Sequence, residues 1–272
     1  MPAATARTML ARLRALPGNA VLGLAIILGI CAVSILAPHL SAIDPTKSSI
    51  FFLAPPSAEN WLGTDDLGRD IYTRVLYGGR SSLLVGIGAA AIATLIGVPV
   101  GLAAGYMGGR VDIAAVQFIN MFIALPGLVL ALMITAMIGA TLTNLMIVLG
   151  IVTWPRVARL VRGQAFEIRE ALFVEAARAA GGRAAWIIRK HILPNTMRVI
   201  AAQFALSVAY SIFTSASLSF LGLGVPPPTP DWGAMVRGGL DYLAINPMMS
   251  LAPSGAVALT VFGFYSIGSS IK

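Results

Sequence analysis

Long apolar runs without a charged side chain alternate with polar segments along this chain. Residues 20–38 form the first run, and about 20 residues are what an α-helix needs to cross a hydrocarbon core of about 30 Å. The same pattern predicts five further spans: 81–106, 113–138, 142–154 with its helix continuing past Pro155, 199–223 and 249–268. A secretory leader has a shorter apolar stretch than 20–38, and more spans follow, so this run reads as a membrane helix. The polar remainder is a terminal segment 1–19, loops 39–80, 156–198 and 224–248, and a tail 269–272. The expected fold class is an all-α integral membrane protein with one six-span domain over 20–268.

Composition agrees with that reading. The chain is 57% hydrophobic and 11% charged, against about 25% charged in soluble domains. The pI near 10.3 invites nucleic acid as a partner, but the placement of the charges excludes it. Six spans put both termini on one side, and 14 of the 19 Lys and Arg fall there with four of the 11 acids. The positive-inside rule assigns that side to the cytoplasm. The lone Cys31 allows no intrachain disulfide.

Loop 156–198 contains the chain's most distinctive local pattern. Residues 170–180 are mostly good helix formers, and Gly181-Gly182 then supplies the conformational freedom a helix C-cap needs. A second short helix should follow with Ala184, Ile187, Ile188, His191 and Ile192 on one stripe, ended by Pro194. Ala176, Ala177, Ala179 and Ala180 give the first helix almost no bulk, so a partner's backbone can approach it. An ordinary helix-turn-helix between packed segments is the plainer alternative.

Other chemistry is sparse. No phosphate-cradling G-x-x-x-x-G-K-[ST] occurs, and Lys47, Lys190 and Lys272 are the only lysines. His39 and His191 are far apart, which speaks against a metal centre or a His-based triad. Asp65, Asp66 and Asp70 lack calcium-loop spacing, and Arg69 compensates their charge; Trp61 suits headgroup level. The predicted spans hold no Asp, Glu, Lys or Arg beyond their ends, which argues against ion-coupled transport. Pore-lining candidates are Gln117 and Asn120, one turn apart, with Met121, a kinking Pro126, Ser211 and Ser215; hydrogen bonding between helices is the alternative for the polar ones. Gly97, Gly101 and Gly105 form a stripe for close helix approach, within this subunit or against another.

The run Glu175-Ala176-Ala177, a glycine six residues after the glutamate, a hydrophobic pair, then His191-x-Leu193-Pro194-Asn195 resembles the EAA loop of ABC importer permeases. LGTDDLGRD (62–70), GYMGGRVD (105–112) and SLSFLGLGVPPPTPDWG (217–233) narrow the resemblance to the second permease subunit of dipeptide, oligopeptide and nickel ABC importers, over about residues 20–265. Two departures are Arg183-Ala184, where relatives often carry Ser-Asp, and a tail without their acidic Asp-Pro segment. The resemblance implies a MetI-like, type I importer fold in a prokaryotic inner membrane, with both termini cytoplasmic. It implies a non-catalytic subunit forming half of a translocation pathway, most often for peptides, beside a homologous second permease and membrane lipid. One or two cytoplasmic ATPase subunits would bind ATP and Mg and dock on Glu175, Ala176, Ala177, Arg178, Ala179, Ala180, Gly181, Ile188, His191, Leu193 and Pro194. An external solute-binding protein would deliver substrate near Trp61, Asp65, Asp66, Arg69, Asp70 and Trp232. Nickel or another small solute is the alternative cargo. A stand-alone secondary transporter and a membrane assembly factor are the rival classes.

Overall fold

The computed structural model describes residues 17–271; the basic segment 1–16, with Arg7, Arg12 and Arg14, and Lys272 lie outside the described residues. In chain order the helices are α1 (Gly18–Ile35), α2 (Ala37–Leu40), α3 (Ile71–Met107), α4 (Gly109–Ile123), α5 (Gly127–Ile138), α6 (Leu142–Arg169), α7 (Leu172–Ala179), α8 (Ala184–Ile187), α9 (Leu193–Phe220), α10 (Trp232–Gly239) and α11 (Met248–Ser270). A π-helical turn, Ile188–Ile192, joins α8 to α9, so Ala184–Phe220 is one continuous helix. Among the described residues, five helices are long and apolar enough to cross a bilayer: α1, α3, α6, Ala184–Phe220 and α11.

The centre of the bundle is the α3–α6 seam. Gly88 lies by Met146, Gly97 by Val157 and Gly105 by Ala165, so residue numbers rise together and the two helices run parallel. A Cβ at Gly97, Gly101 or Gly105 would stand 2.8, 2.6 or 2.5 Å from the carbonyls of Trp154, Ala158 and Arg162. Only glycine permits that approach, and the stripe therefore packs within this chain. Parallel α3 and α6 also require the chain to return between them, which α4 and α5 accomplish as one broken crossing. Outside the seam, α9 packs on α3 and α11, and α11 on α1.

Three expectations need correction. Loop 39–80 ends at Asp70, not residue 80: the Asp70 carboxylate accepts from the Thr73 N–H at 2.7 Å and caps α3 there. α3 then runs 37 residues, about 55 Å at helical rise. Pro126 does more than kink the third span. It separates α4 from α5 at an angle of 78°, and at 15 and 12 residues neither half crosses the core alone. Pro194 does not end the second short helix of loop 156–198. The preceding π turn widens the backbone, the Leu193 N–H reaches back to the Ile188 carbonyl, and the Asn195 side chain donates to the His191 carbonyl at 2.6 Å. Thus the helix that carries the fifth span begins near Ala184 rather than residue 199, whereas continuation of α6 through Pro155 is as expected.

Two apolar clusters mark the ends of the bundle. Val85, Leu145, Val148, Leu149 and Leu218 fill the half beneath loop 39–70, the loop end. Trp154, Val157 and Val161 fill the other half and receive Val174, Ile187 and Ile192, all three fully buried. The latter half carries the arginine-rich segment and is called the basic end below.

Candidate functional site

At the basic end, α7 closes on a two-bond glycine cap. The Gly181 N–H donates to the Arg178 carbonyl and the Gly182 N–H to the Ala177 carbonyl, both at 3.0 Å, with Gly181 at φ +81°. Val174, Ile187 and Ile192 pin this turn to the core. The remaining surface is free: Glu175, Ala176, Arg178, Ala179, Ala180, Gly181 and Pro194 are exposed, whereas Ala177, Ile188, His191 and Leu193 are half-buried. A cleft of about 390 Å3 opens between Ala177, Ala180, Gly181, Gly182, Arg183 and Trp186. Trp186 on this cleft and Phe173 nearby are absent from the sequence-based candidates. Trp186 is 50% exposed and Phe173 46%, and the His191 ring packs against both, with centroids 5.0 and 6.1 Å away. Their position beside a small-residue helix is the signal that would have found them. Beneath the foot, Arg162 grips both carboxylate oxygens of Asp112, with Nη2 to Oδ2 at 2.6 Å, and ties α4 to α6.

The loop end uses its polar side chains internally. Trp232 is buried, donates from Nε1 to the Val75 carbonyl at 2.9 Å, and lies over Gly78 and Gly79; a Cβ at Gly78 would strike the indole, and one at Gly79 would strike Ser34 beside it. Asp65 accepts from the Leu67 and Arg69 N–H groups and from Arg69 Nε at 2.7 Å. Arg74 donates from Nη1 to the Pro45 carbonyl at 2.8 Å, and Ser81 donates to the Pro230 carbonyl at 2.8 Å. Of the six proposed docking residues, Asp65, Asp70 and Trp232 are buried and Arg69 and Asp66 half-buried, leaving Trp61 exposed. Trp232, Asp65 and Asp70 are therefore corrected to internal struts, because their polar atoms are directed into the loops they organise.

The pore-lining candidates divide in the same manner. Gln117, Asn120, Met121 and Pro126 are exposed, but Ser211 and Ser215 are buried within α9 packing and are corrected to helix-contact residues. An apolar groove of about 810 Å3 runs between α9, α10 and α11, with Phe213, Phe220, Val257, Phe262 and Leu128 among its walls. Below it the exposed face turns polar. Arg156 stacks over the Tyr210 ring at 4.0 Å, and Arg159 Nη2 donates to Asn120 Oδ1 at 2.9 Å. Both arginines belong to a single 28-residue helix, about 21 and 26 Å from its start. The expectation of a charge-free span does not fit α6: its charge-free run, 142–154, covers only about 20 Å, and every 18-residue stretch of the helix includes both arginines.

Residues 97–271 match the family described as "Binding-protein-dependent transport system inner membrane component". The chain belongs to this family. The match takes in the glycine seam, the basic foot and the groove, so this permease keeps the features described above within its family region. It is 37% identical over 254 residues to the oligopeptide transport system permease protein OppC of Bacillus subtilis (strain 168), covering 93% of this chain and 83% of that one. It is 39% identical to the dipeptide transport system permease protein DppC of Alkalihalophilus pseudofirmus, covering 93% and 84%. A glutathione transport system permease protein, GsiD of Pectobacterium atrosepticum, is 39% identical over 217 residues, 80% of this chain and 72% of that one. Among solved structures, the inward-facing MetNI methionine ABC transporter superposes with a TM-score of 0.63 at 18% identity, covering 73% of this chain and 94% of that chain. That likeness carries the type I importer fold and no more.

Proposed function

We propose that this permease forms half of a translocation pathway that imports peptides, di- and oligopeptides above all, across a prokaryotic inner membrane. The observation that carries the reading is the foot at the basic end: small, exposed side chains on a glycine-capped turn, anchored from below by three fully buried residues. Such a surface suits rigid docking of an ATPase subunit, which would bind ATP and Mg itself and change the permease by differential contact in two states. A second, homologous permease would complete the pathway, one or two ATPase subunits would drive it, and a solute-binding protein would deliver cargo at the loop end. The cargo class rests on the names of the relatives. The arginine bias supports a cytoplasmic foot and cytoplasmic termini.

Two measurements test this. With Cys31 replaced, single cysteines at Ala180 and Glu59, both exposed, should react with impermeant thiol reagents from opposite sides of the membrane. Ala177→Arg should insert normally yet fail to retain ATPase subunits during purification. Same-side labelling, or full retention by Ala177→Arg, overturns the arrangement.

A further inference from the structure

We propose that Arg156 and Arg159 form an intramembrane binding step for a carboxylate on the solute path. The inference rests on the peptide-import reading for the identity of the solute, though not for the existence of an anion site.

Depth is the first observation. Arg156 precedes Arg162 by six residues, about 9 Å of helix, and Arg162 already forms the ion pair with Asp112 that closes the α3–α4 turn at the basic end. Arg156 and Arg159 therefore lie above the basic mouth and below the apolar groove. Charged groups at such depth face a bundle interior or a water-filled path, because hydrocarbon excludes them.

Charge balance is the second. Every partner identified for the pair is neutral: a tyrosine ring for Arg156, a carboxamide for Arg159. Among the described residues neither arginine joins an ion pair. By contrast Arg69, Arg162 and Arg169 each have a carboxylate. Two cations three residues apart on one exposed helix face, without a counter-charge, leave a local positive potential.

The third observation is which donors are left. Stacking on Tyr210 uses the face of the Arg156 guanidinium and leaves its in-plane N–H fork available; Arg159 commits one nitrogen to Asn120 and retains Nε and Nη1. A planar fork held by its face is suited to a two-point grip on a carboxylate. Gly127 supports the geometry, since a Cβ there would stand 2.6 Å from the Tyr210 hydroxyl and crowd the stack. The groove above is walled by Phe213 and Leu128, and Leu128 follows Gly127 directly. An apolar trough ending in two arginine forks accommodates a peptide's side chains and then its terminal carboxylate.

The test uses the reconstituted complex with its partner permease, ATPases and binding protein. In a Cys31→Ala background, Gln117→Cys reports on the same face, one turn from Asn120. Its modification by an anionic and a cationic methanethiosulfonate reagent is compared with and without Arg156→Gln and Arg159→Gln. The anionic-to-cationic rate ratio should drop about tenfold when both arginines go, the size expected for loss of local steering; an unchanged ratio overturns the site. Uptake of one peptide as free acid and as C-terminal amide, delivered by the same binding protein, then assigns the ligand. In the double variant the KM for the acid should rise about tenfold, as expected for losing charge-assisted bonds, while the amide's stays unchanged. Equal losses for acid and amide would show a structural or lipid-facing role and reject the proposal. Arg156→Lys with Arg159→Lys guards against misfolding: the reagent ratio should persist while acid uptake falls, because charge remains and the fork does not. If the wild-type complex imports no peptide at all, the cargo assignment fails, and the reagent ratio still decides the anion site.

Discussion

The two ends of the bundle satisfy their polar groups in opposite ways. At the loop end they are consumed internally: Asn246 donates toward the Ala54, Leu62 and Thr64 carbonyls, and Trp232, Arg74 and Ser81 each bond a backbone carbonyl across the loops. At the basic end the side chains of residues 175–180 remain mostly in solvent, and contact with the core passes through Val174, Ile187 and Ile192. A net hydrogen bond is worth about 1 kcal/mol, but leaving its buried partner orphaned costs about 1–3. The loop end is thus a self-closed assembly in which each strut matters to stability. The foot, with most of these side chains in solvent, contributes little to its own subunit's stability.

The sharpest test compares one tryptophan from each end. Trp232→Ala empties a buried site and removes the indole's bond to the Val75 carbonyl, so it should cost about 3–5 kcal/mol, as large aromatic-to-alanine core changes do. Trp186→Ala, half-exposed on the rim of the foot, should change stability by less than about 0.5 kcal/mol. Thermal unfolding in detergent measures both. ATPase retention should reverse the order, with Trp186→Ala the more damaging of the two among molecules that fold. Equal shifts in unfolding temperature would erase the distinction between the ends.

How far each end was legible in the sequence follows from the range of the forces involved. The helix cap at Gly181-Gly182 and the glycine stripe rest on local periodicity and local backbone chemistry, and the structure agrees with them; of the six expected crossings, five appear among the described residues as single helices long and apolar enough, and the third as a helix pair bent by 78°. Trp232 stands among the docking candidates because its burial depends on contacts with Gly78 and Gly79, far away in the chain. Pro126 and Pro194 show that a proline's effect depends on what the neighbouring backbone does: one breaks a crossing by 78°, the other is absorbed by a π turn. Arg156 and Arg159 escaped notice because a span ended at the first charged residue looks clean. Only the uninterrupted length of α6 shows that they share one helix with the apolar run before them.

A smaller effect separates conformation from contact within the foot. Gly181 adopts φ +81° with no atom within 4 Å of an added Cβ, so a substitution there meets strain but no clash. Gly181→Val should destabilise the α7 cap by about 1–2 kcal/mol, and Gly181→Asn by less, since asparagine tolerates the left-handed region. Hydrogen exchange of the Gly181 and Gly182 amides should rise in that order, while global unfolding of the loop end stays constant. If the two variants behave alike, the cap is held by contacts with a partner and not by its own backbone.

The smallest expected effect belongs to the loop end and concerns pH. Asp231 caps α10 by accepting from the Ala234 N–H at 2.9 Å, and burial pushes its carboxyl up from the ordinary value despite that donor. A raised value in the folded state means that folding favours the protonated form. Its contribution to stability is complete below the ordinary carboxylate value of about 4 and is lost as pH rises through the raised one. Asp231→Asn keeps an acceptor for the cap and removes the charge that burial penalises. Relative to this variant, the wild-type unfolding temperature should fall as pH climbs from about 4 toward neutrality and then run parallel above the raised value. Parallel curves across the whole range would mean that water reaches Asp231. The loop end would then be open at the one position where its closure is electrostatically unfavourable, and the contrast with the foot would narrow to the neutral struts.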